Sequence, residues 1–537
     1  MNSQQSTGKG VNLAVSICAS LKQCNRTMLP DGKGVGRMLR TPRLKRRRVP
    51  ICMAMEALRP CRGHMTLLAT LCLLLAVTVM AQERVHTSPP LLDDRPFLVI
   101  WNIPSEQCKS RFSVDLDLSM FDMYSTPNEG FYGQNVTIFY PDRLGIYPYI
   151  TDDGETIFGG LPQNTSITQH LDKALVDIEK YIPMDQTGRL AVIDWEMWRP
   201  QWLRNWDKKD VYRQRSRDLV RLKHPNWTDV MITQQAQWEF ETAAQQFMVE
   251  TLQLGKNLRP EVLWGFYLFP DCYNHDYKDS EDKYTGVCPD VELSRNNELD
   301  WLWNASTVLF PSIYMPKALE STANGRKFVR YRVMEAMRVS TRPDPYNSLP
   351  IYVYSQLVYI NSDNNSMVDY KSEVDLIQSI GESAAMGAAG VVLWGDKRYS
   401  QSKTRCTQLQ EYITSTVGLY TVNVTAAATW CSRALCGSQG RCKRISNESD
   451  AYLHLNPNSF SIQRNRPPQK GFTVSGRMSR ADMLKLQAGF MCQCYTGWKG
   501  RYCDEKGSYS SSPRLTAMPC ALLGVIATFL VLAVPAL

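Results

Sequence analysis

Two carboxylates at the end of an apolar run are the residues of this sequence best suited to chemistry. Residues 190–193 are apolar and partly β-branched, and Asp194, Trp195 and Glu196 follow directly. Such a run followed by charge indicates a buried strand that reaches the edge of a sheet. Because side chains at i and i+2 share one face of a strand, Asp194 and Glu196 are expected to lie about 6.6 Å apart.

Like charges at that separation resist ionising together. Apolar surroundings from Trp195 and Trp198 would disfavour charge further, so one carboxyl is expected to stay protonated near neutrality. A protonated carboxyl beside an ionised one can act as a general acid, as glycosidases require. The alternative is a strand that simply ends in acids, which face solvent or cap the next helix.

The elements that must position these acids alternate between strands and helices. Seven or eight such units over about 325 residues favour a closed, parallel (β/α) barrel of the TIM type at 95–420 over an open doubly wound sheet. No glycine-rich phosphate loop follows the first strand, which counts against a nucleotide-binding fold. The expected strands are 97–101, 136–140, 190–196, 263–269, 308–314, 351–354 and 390–394, and the helices are 167–182, 211–224, 228–258, 328–339, 373–386 and 406–416.

The carboxyl ends of these strands are rich in aromatic residues. Tyr267, Tyr314 and Trp394 stand at or near three of the ends, where barrel enzymes place their chemistry. A single aromatic residue there would more often serve packing. Several converging on Asp194 and Glu196 favour a sugar-binding cleft, because flat rings and phenol hydroxyls suit pyranose rings.

The net charge of +9 belongs to the first part of the chain. Residues 1–64 contain 13 Lys and Arg against Asp31 and Glu56, a net of +11, and +9 minus +11 leaves about −2 for the rest. The basic balance is therefore no argument for nucleic-acid binding. We expect 1–64 to be an unstructured basic extension and 65–81 to be a signal peptide with cleavage after Ala81. An uncleaved signal anchor is the alternative.

Cysteines and glycosylation sequons indicate the secretory pathway and the outer cell surface, or else lysosomes or endosomes. An even set of ten cysteines follows Ala81 when Cys520 is set aside, as in disulfide-bonded proteins. A zinc site is not indicated, because no Cys-x-x-Cys pair has a matching second pair. The sequons begin at Asn135, Asn164, Asn226, Asn304, Asn364, Asn423 and Asn447.

Four stretches resemble the animal hyaluronidases, family 56 of the glycoside hydrolases, which are endo-β-N-acetylhexosaminidases that cut hyaluronan. They are 191–200, 264–274, 311–314 and 387–394, within a similarity that extends over about 95–503. Judged by 125–131 and 273–277, the lipid-anchored members are the most similar, and the sperm-surface members come next. The resemblance implies a distorted (β/α) barrel and a retaining, substrate-assisted mechanism without a cofactor or metal.

In that mechanism the substrate's own acetamide is the nucleophile, so no enzymic nucleophile faces the acid. By resemblance, Glu196 would protonate the leaving oxygen and later activate water, while Asp194 would orient the acetamide. The resemblance also implies substrate-binding roles for four residues, Tyr267, Tyr314, Trp394 and Asp271. Two disulfides are implied in the same way, Cys108 to Cys406 and Cys272 to Cys288, although the residues alone leave the pairing open.

Six cysteines near the C-terminus are typical of an EGF-like module at 431–503 with a long insertion at 443–491. A structural clamp on the barrel is its expected role, with ligand binding as the alternative. We pair its cysteines as Cys431 to Cys442, Cys436 to Cys492 and Cys494 to Cys503.

The last residues, 507–537, are first small and polar and then apolar to the end of the chain, without a basic flank. This pattern favours a glycosylphosphatidylinositol (GPI) attachment signal, at Gly507, Ser508 or Ser510, over a permanent membrane helix.

These observations predict a monomeric, membrane-anchored hyaluronidase. Two alternatives stay open at this point. One is a hyaluronan-binding surface receptor with weak or lost hydrolysis, and the other is an enzyme that prefers chondroitin. The intact pair of Asp194 and Glu196 favours an enzyme, because binding alone needs no protonatable acid.

Overall fold

A computed structural model of the chain describes residues 85–125, 133–184, 188–278, 280–360 and 368–507. The basic extension, the signal peptide, the tail beyond 507 and the sequon at Asn364 lie outside the described residues, as does most of the stretch 125–131. The structural statements below concern the described residues.

Apart from a short parallel pair of His86–Thr87 with Asn347–Ser348, seven parallel strands alternate with helices, so the predicted α/β class is confirmed. They form two sheets, with the order β6-β7-β1-β2 in one and β3-β4-β5 in the other. Each hydrogen-bonded pair within them is parallel. The strands are β1 Leu98–Asn102, β2 Met123–Tyr124, β3 Val136–Phe139, β4 Arg189–Ile193, β5 Val262–Phe266, β6 Tyr352–Ser355 and β7 Gly390–Trp394.

The two sheets are linked at two places. Between β5 and β6, the segment 309–312 makes isolated parallel bridges, among them Tyr267 with Phe310 and Ser312 with Tyr354. Between β2 and β3 the links come from side chains, for example the amide of Asn135, which donates to Tyr124 O at 3.2 Å. The strands and the segment 309–312 are therefore connected by ladders, by isolated bridges and, between β2 and β3, by side-chain hydrogen bonds.

Three of the predicted strands differ in the structure. The strand predicted at 263–269 is β5, Val262–Phe266, which ends three residues earlier. The prediction of a continuous strand at 308–314 was wrong, because this segment forms only isolated bridges. Pro311 lies within it and has no amide hydrogen for a ladder. The strand predicted at 190–196 ends at Ile193, before the two acids.

Several helices begin where a hydroxyl side chain satisfies a free amide group. Ser166, Thr228 and Thr322 each accept a hydrogen bond from an amide of the first turn. The main helices are Glu106–Ser110, Ile167–Tyr181, Asp210–Lys223, Asp229–Leu258, Asp290–Asn297, Asp300–Ala305, Ala323–Ser340 and Lys403–Tyr412. The predicted helix 373–386 is Glu373–Leu376 and Glu382–Ala385 joined by a π-helical turn, Ile377–Gly381.

Alternation along the strands produces two apolar layers. On β1, Leu98 and Ile100 belong to a cluster enclosed by the strands, whereas Val99 and Trp101 belong to the larger cluster between strands and helices. Residues of both layers are fully buried, as expected of parallel strands covered on both faces. The framework that carries the acids is therefore rigidly packed.

The last helix continues well past its predicted end. It runs from Lys403–Tyr412 through a π-helical stretch, Ile413–Val417, into Gly418–Cys436, across the boundary expected between 420 and 431. The antiparallel pair β8 Gly440–Arg444 and β11 Phe490–Cys494 follows. Between them lie the hairpin of β9 Phe460–Arg464 and β10 Phe472–Gly476 and the helix Arg480–Gly489.

Disulfides and a buried ion cluster fix this C-terminal region. Glu382 is fully buried, accepts from Arg330 Nε at 2.7 Å and also pairs with Arg444 on β8. One carboxylate thus joins β8 to two helices of the strand-helix framework. The disulfides in the structure are Cys108 to Cys406, Cys272 to Cys288, Cys431 to Cys442, Cys436 to Cys492 and Cys494 to Cys503, the five expected pairs.

Among the described residues, no helix has both the length and the hydropathy needed to cross a bilayer. The same part of the chain contains no group of His, Cys, Asp and Glu side chains arranged to hold a metal ion.

Candidate active site

The end of β4 brings the two acids to the carboxyl edge of the strands. Beyond the strand, the amide of Asp194 still donates to Phe139 O on β3 at 3.0 Å, so the backbone continues in the same direction. Trp195 points the other way and stacks on Tyr147, with 4.6 Å between ring centroids. The predicted alternation therefore holds, and Asp194 and Glu196 line one pocket although neither belongs to the strand.

Aromatic residues from several strand ends complete this pocket. Three of them, Tyr267, Tyr314 and Trp394, were expected from the sequence to lie beside the acids. The structure brings all three together with the acids. The lining residues are Ile138, Val192, Asp194, Glu196, Tyr267, Tyr314, Tyr354 and Trp394.

Asp194 has an unusual electrostatic environment. Burial, followed by the negative charge of Glu196, raises the pKa of Asp194 to about 7, and Arg199 opposes the increase. Its Oδ1 atom is buried, and no group in the described part of the protein donates a hydrogen bond to it. The raised pKa expected for one of the two carboxyls is thus found at Asp194. Trp198 packs away from the pocket and donates from Nε1 to Pro148 O at 2.8 Å.

Glu196 is more open, since half of its side chain is exposed. Arg199 Nη2 lies 3.5 Å from its carboxylate, and Arg199 Nη1 donates to its carbonyl oxygen at 3.1 Å. The ammonium group of Lys209 also donates to that carbonyl and to Met197 O. Because the strand has already ended, two cationic side chains hold the backbone of Glu196.

The aromatic wall is held by its own contacts. Tyr314 and Trp394 are stacked, with 6.1 Å between ring centroids and an interplanar angle of 21°. Trp394 Nε1 donates to Tyr140 Oη at 3.4 Å, and Tyr267 Oη donates to Ser312 Oγ at the same distance. Burial raises the pKa of Tyr267, so its hydroxyl stays a neutral hydrogen-bond donor.

Asp271 lies outside this pocket, in an internal network of ion pairs. Its Oδ2 atom is 2.5 Å from Arg204 Nη2, and its Oδ1 atom accepts from the Cys272 amide at 2.7 Å. Burial alone would raise its pKa, but Arg332, Arg204 and the other nearby donors outweigh that effect and lower it. Asp271 therefore braces the loop after β5.

Two aromatic residues at the site were not singled out from the sequence. Tyr354 lines the pocket, and Tyr140 holds Trp394 in place. Both stand at the ends of predicted strands, 351–354 and 136–140. The signal that identified Tyr314, an aromatic residue at a strand's carboxyl end, could have found them as well.

Comparison with known proteins agrees with this geometry. A family model described as hyaluronidase, family 56 of the glycoside hydrolases, matches residues 86–507. This chain belongs to the hyaluronidase family. It is therefore a glycoside hydrolase, and the matched region includes the pocket and the C-terminal disulfides.

Relatives in this family cover most of the chain. Hyaluronidase-2 of Homo sapiens is 49% identical over 436 residues, which are 81% of this chain and 91% of that protein. A hyaluronidase of the viper Echis ocellatus is 45% identical over 78% of this chain and 93% of its own length. The crystal structure of bee venom hyaluronidase in complex with a hyaluronic acid tetramer matches with a TM-score of 0.50 and 27% identity, over 60% of this chain and 97% of that one.

Proposed function

We propose that this hyaluronidase cuts hyaluronan internally, at β-1,4 bonds between N-acetylglucosamine and glucuronate, with retention of configuration. The supporting observation is the buried Oδ1 atom of Asp194, which lacks a donor within the described residues and lies beside a half-exposed Glu196. A buried acceptor left without a donor costs free energy. The N–H group of an N-acetylated sugar would supply that donor, and the similarity to bee venom hyaluronidase, solved in complex with a hyaluronic acid tetramer, supports the assignment.

Glu196 is proposed as the proton donor. The acetamide oxygen of the substrate attacks the anomeric carbon, the bond to the leaving oxygen breaks, and Glu196 protonates that oxygen. In the second step, water attacks the anomeric carbon, and the bond between that carbon and the acetamide oxygen breaks. The Glu196 carboxylate takes a proton from the attacking water. Because its backbone is fixed, the carboxyl of Glu196 would stay within reach of the leaving oxygen in the first step and of the water oxygen in the second.

Asp194 is proposed to hold the acetamide and to stabilise the positive charge that develops on its nitrogen. In the free protein the pKa of its carboxyl is raised to about 7, mainly by burial. The developing cation favours the ionised form, so the interaction would strengthen as the transition state forms. Tyr267 would turn its hydroxyl proton from Ser312 to the acetamide, and Tyr314 and Trp394 would cover the sugar face.

The test is release of new reducing ends from hyaluronan by the full-length protein, expressed on cells, between about pH 3.5 and 7.5. We expect Glu196→Gln to abolish turnover and to leave hyaluronan binding largely intact. Glu239→Gln, a change on the outer helix Asp229–Leu258, is the matched control and should be neutral. Unchanged turnover in Glu196→Gln would contradict the acid assignment.

Chondroitin is tested in parallel. Hyaluronan binding without turnover at any pH would favour a receptor, and faster cleavage of chondroitin would revise the substrate. Neither alternative is favoured by an observation at the pocket.

The parallel strands and the segment 309–312 are proposed to close into a distorted barrel. The bonds that connect the strands and this segment support this closure. We propose that the three C-terminal disulfides belong to an EGF-like module that clamps the barrel, since Arg444 reaches the buried Glu382. We propose that the protein acts as a monomer.

We propose that the signal peptide is cleaved after Ala81 and that the mature protein is extracellular and GPI-anchored. The disulfides support an oxidising compartment. Three sequons are exposed, at Asn164, Asn226 and Asn304, although Asn164 Nδ2 donates to Gly159 O at 3.0 Å. At Asn423 the side-chain oxygen already accepts from the Leu455 amide at 2.8 Å. Phospholipase C should release the protein from cells, whereas full retention would favour a membrane helix.

A further inference from the structure

A second aromatic surface lies beside the proposed acid and does not line the pocket. Trp206 and Tyr273 are 38% and 43% exposed, and their rings meet edge to face with 5.1 Å between centroids. Trp206 belongs to the loop after β4 and Tyr273 to the loop after β5, so both lie at the carboxyl edge of the strands, as Glu196 does. Other aromatic residues, such as Trp238 and Tyr346, are more exposed, so this pair is distinguished by its position beside the proposed acid and not by its exposure.

Two arginines and a glutamate hold this aromatic surface in one geometry. The guanidinium groups of Arg204 and Arg295 lie 5.6 and 6.0 Å from the ring centroid of Trp206. Glu292 fixes both arginines, with its carboxylate 3.0 and 2.9 Å from Arg204 Nη1 and paired with Arg295. The Tyr273 amide donates to the same carboxylate at 3.4 Å. A ring fixed in this way loses little conformational entropy when a ligand stacks on it.

The surface is also tied to the backbone of Glu196. The amide of Lys209 donates to Trp206 O at 2.9 Å, and its ammonium donates to the carbonyl oxygens of Glu196 and Met197. One residue thus connects the aromatic surface with the proposed acid. Lys209, through its third ammonium proton, and Arg295, through the guanidinium donors that Glu292 does not use, would complement the carboxylate of a glucuronate residue.

The direction of the reaction determines which sugars of the substrate would reach this surface. The pocket with Asp194 takes the sugar whose acetamide reacts, and Glu196 faces the oxygen that leaves. The sugars of the leaving group therefore extend past Glu196, on the side away from Asp194. An endo-acting enzyme must accommodate several sugar rings there.

We propose that Trp206 and Tyr273 form a subsite for the leaving-side sugars of hyaluronan, on which pyranose rings stack while the nearby cations pair with glucuronate. This inference rests on the proposed function and adds a specificity element to the same cleft.

The first experiment maps bond cleavage in a hyaluronan decasaccharide labelled at its reducing end. We expect Trp206→Ala to lower kcat/KM about tenfold, the change that about 1.4 kcal/mol produces. The preferred cut should also shift toward the reducing end, because binding modes that fill leaving-side positions lose their advantage. Trp206→Phe, which keeps a flat ring, should restore the wild-type pattern. A loss shared equally by all bonds would indicate a purely structural role and would overturn the proposal.

The matched control is Trp238→Ala, which removes a tryptophan that is 62% exposed on the helix Asp229–Leu258. It should change neither kcat/KM nor the pattern of cuts.

The second experiment measures decasaccharide binding in a Glu196→Gln background, without turnover. We expect Trp206→Ala to weaken binding about tenfold there too. If the wild type fails to hydrolyse hyaluronan but Trp206→Ala still weakens binding, the subsite stands and the proposed hydrolysis fails. If hydrolysis is normal and Trp206→Ala changes neither binding nor the cleavage pattern, the subsite is refuted.

Discussion

Replacing Asp194 with asparagine should stabilise the protein, and more so at high pH. The pKa of a carboxyl in the folded state is raised here from 3.8 to about 7, mainly by burial. A folded-state pKa above the unfolded value means that the folded state binds the proton more tightly. The free energy of unfolding therefore decreases as the pH rises from about 4 through about 7, because the folded state must then ionise its buried carboxyl.

The size of the effect follows from linkage. At 1.36 kcal/mol per pKa unit, the increase corresponds to about 4 kcal/mol at full ionisation. We halve this to about 2 kcal/mol, because Asp194 opens into a solvent-accessible pocket that screens its charge. With an unfolding entropy of about 2.1 cal/mol/K per residue over the 422 residues that match the family, 2 kcal/mol corresponds to roughly 2 °C in Tm.

The assay is denaturant unfolding of the wild type and Asp194→Asn at pH 4 and pH 8, with calorimetric Tm as the second readout. The stability advantage of Asp194→Asn should grow by about 2 kcal/mol between the two pH values. Glu196→Gln is the informative control. Because burial is the larger cause, most of the pH dependence should persist without the charge of Glu196. An advantage of equal size at both pH values would refute the reasoning.

Two further changes test the rest of the framework. Glu382→Ala leaves two buried guanidinium groups, those of Arg330 and Arg444, without their shared carboxylate, and should lower the free energy of unfolding by about 3 to 5 kcal/mol. A loss below about 1 kcal/mol in urea unfolding would show that water reaches the cluster. Serine at both Cys108 and Cys406 removes a disulfide that spans 298 residues and should cost about 3 to 5 kcal/mol. Activity at low temperature should survive that change, and its loss would mean that the disulfide shapes the cleft.

The strand framework and the acid pair were predictable because each depends on local pattern. β7 was predicted with its observed bounds, 390–394. A parallel strand buried on both faces is a continuous apolar run, so the limits of the run in the sequence mark the limits of the strand. The shared face of Asp194 and Glu196 followed from alternation alone. It survived the early end of β4, because the Asp194 amide keeps its bond to Phe139.

The loops at the cleft could not be predicted in this way. Their positions depend on ion pairs between residues far apart in the chain, such as Arg204 with Asp271 and with Glu292. Local patterns carry no information about such pairs, which form only when the strands have assembled. The exposed surface of Trp206 and Tyr273 depends on this network and was missed for that reason.

Two partly buried aspartates of this protein, Asp271 and Asp194, show how the environment determines the role of a carboxyl group. Asp271 lies beside positively charged arginines and accepts a hydrogen bond from a backbone amide. Its pKa is therefore lowered, and its carboxylate stabilises a loop. For Asp194 the described part of the protein supplies no donor to Oδ1, and its pKa is raised to about 7. A carboxyl that the fold leaves unsatisfied costs stability until a ligand supplies the missing donor. Of two acids with the same chemistry, the one that destabilises the free protein is therefore the one that can strengthen its interaction with substrate.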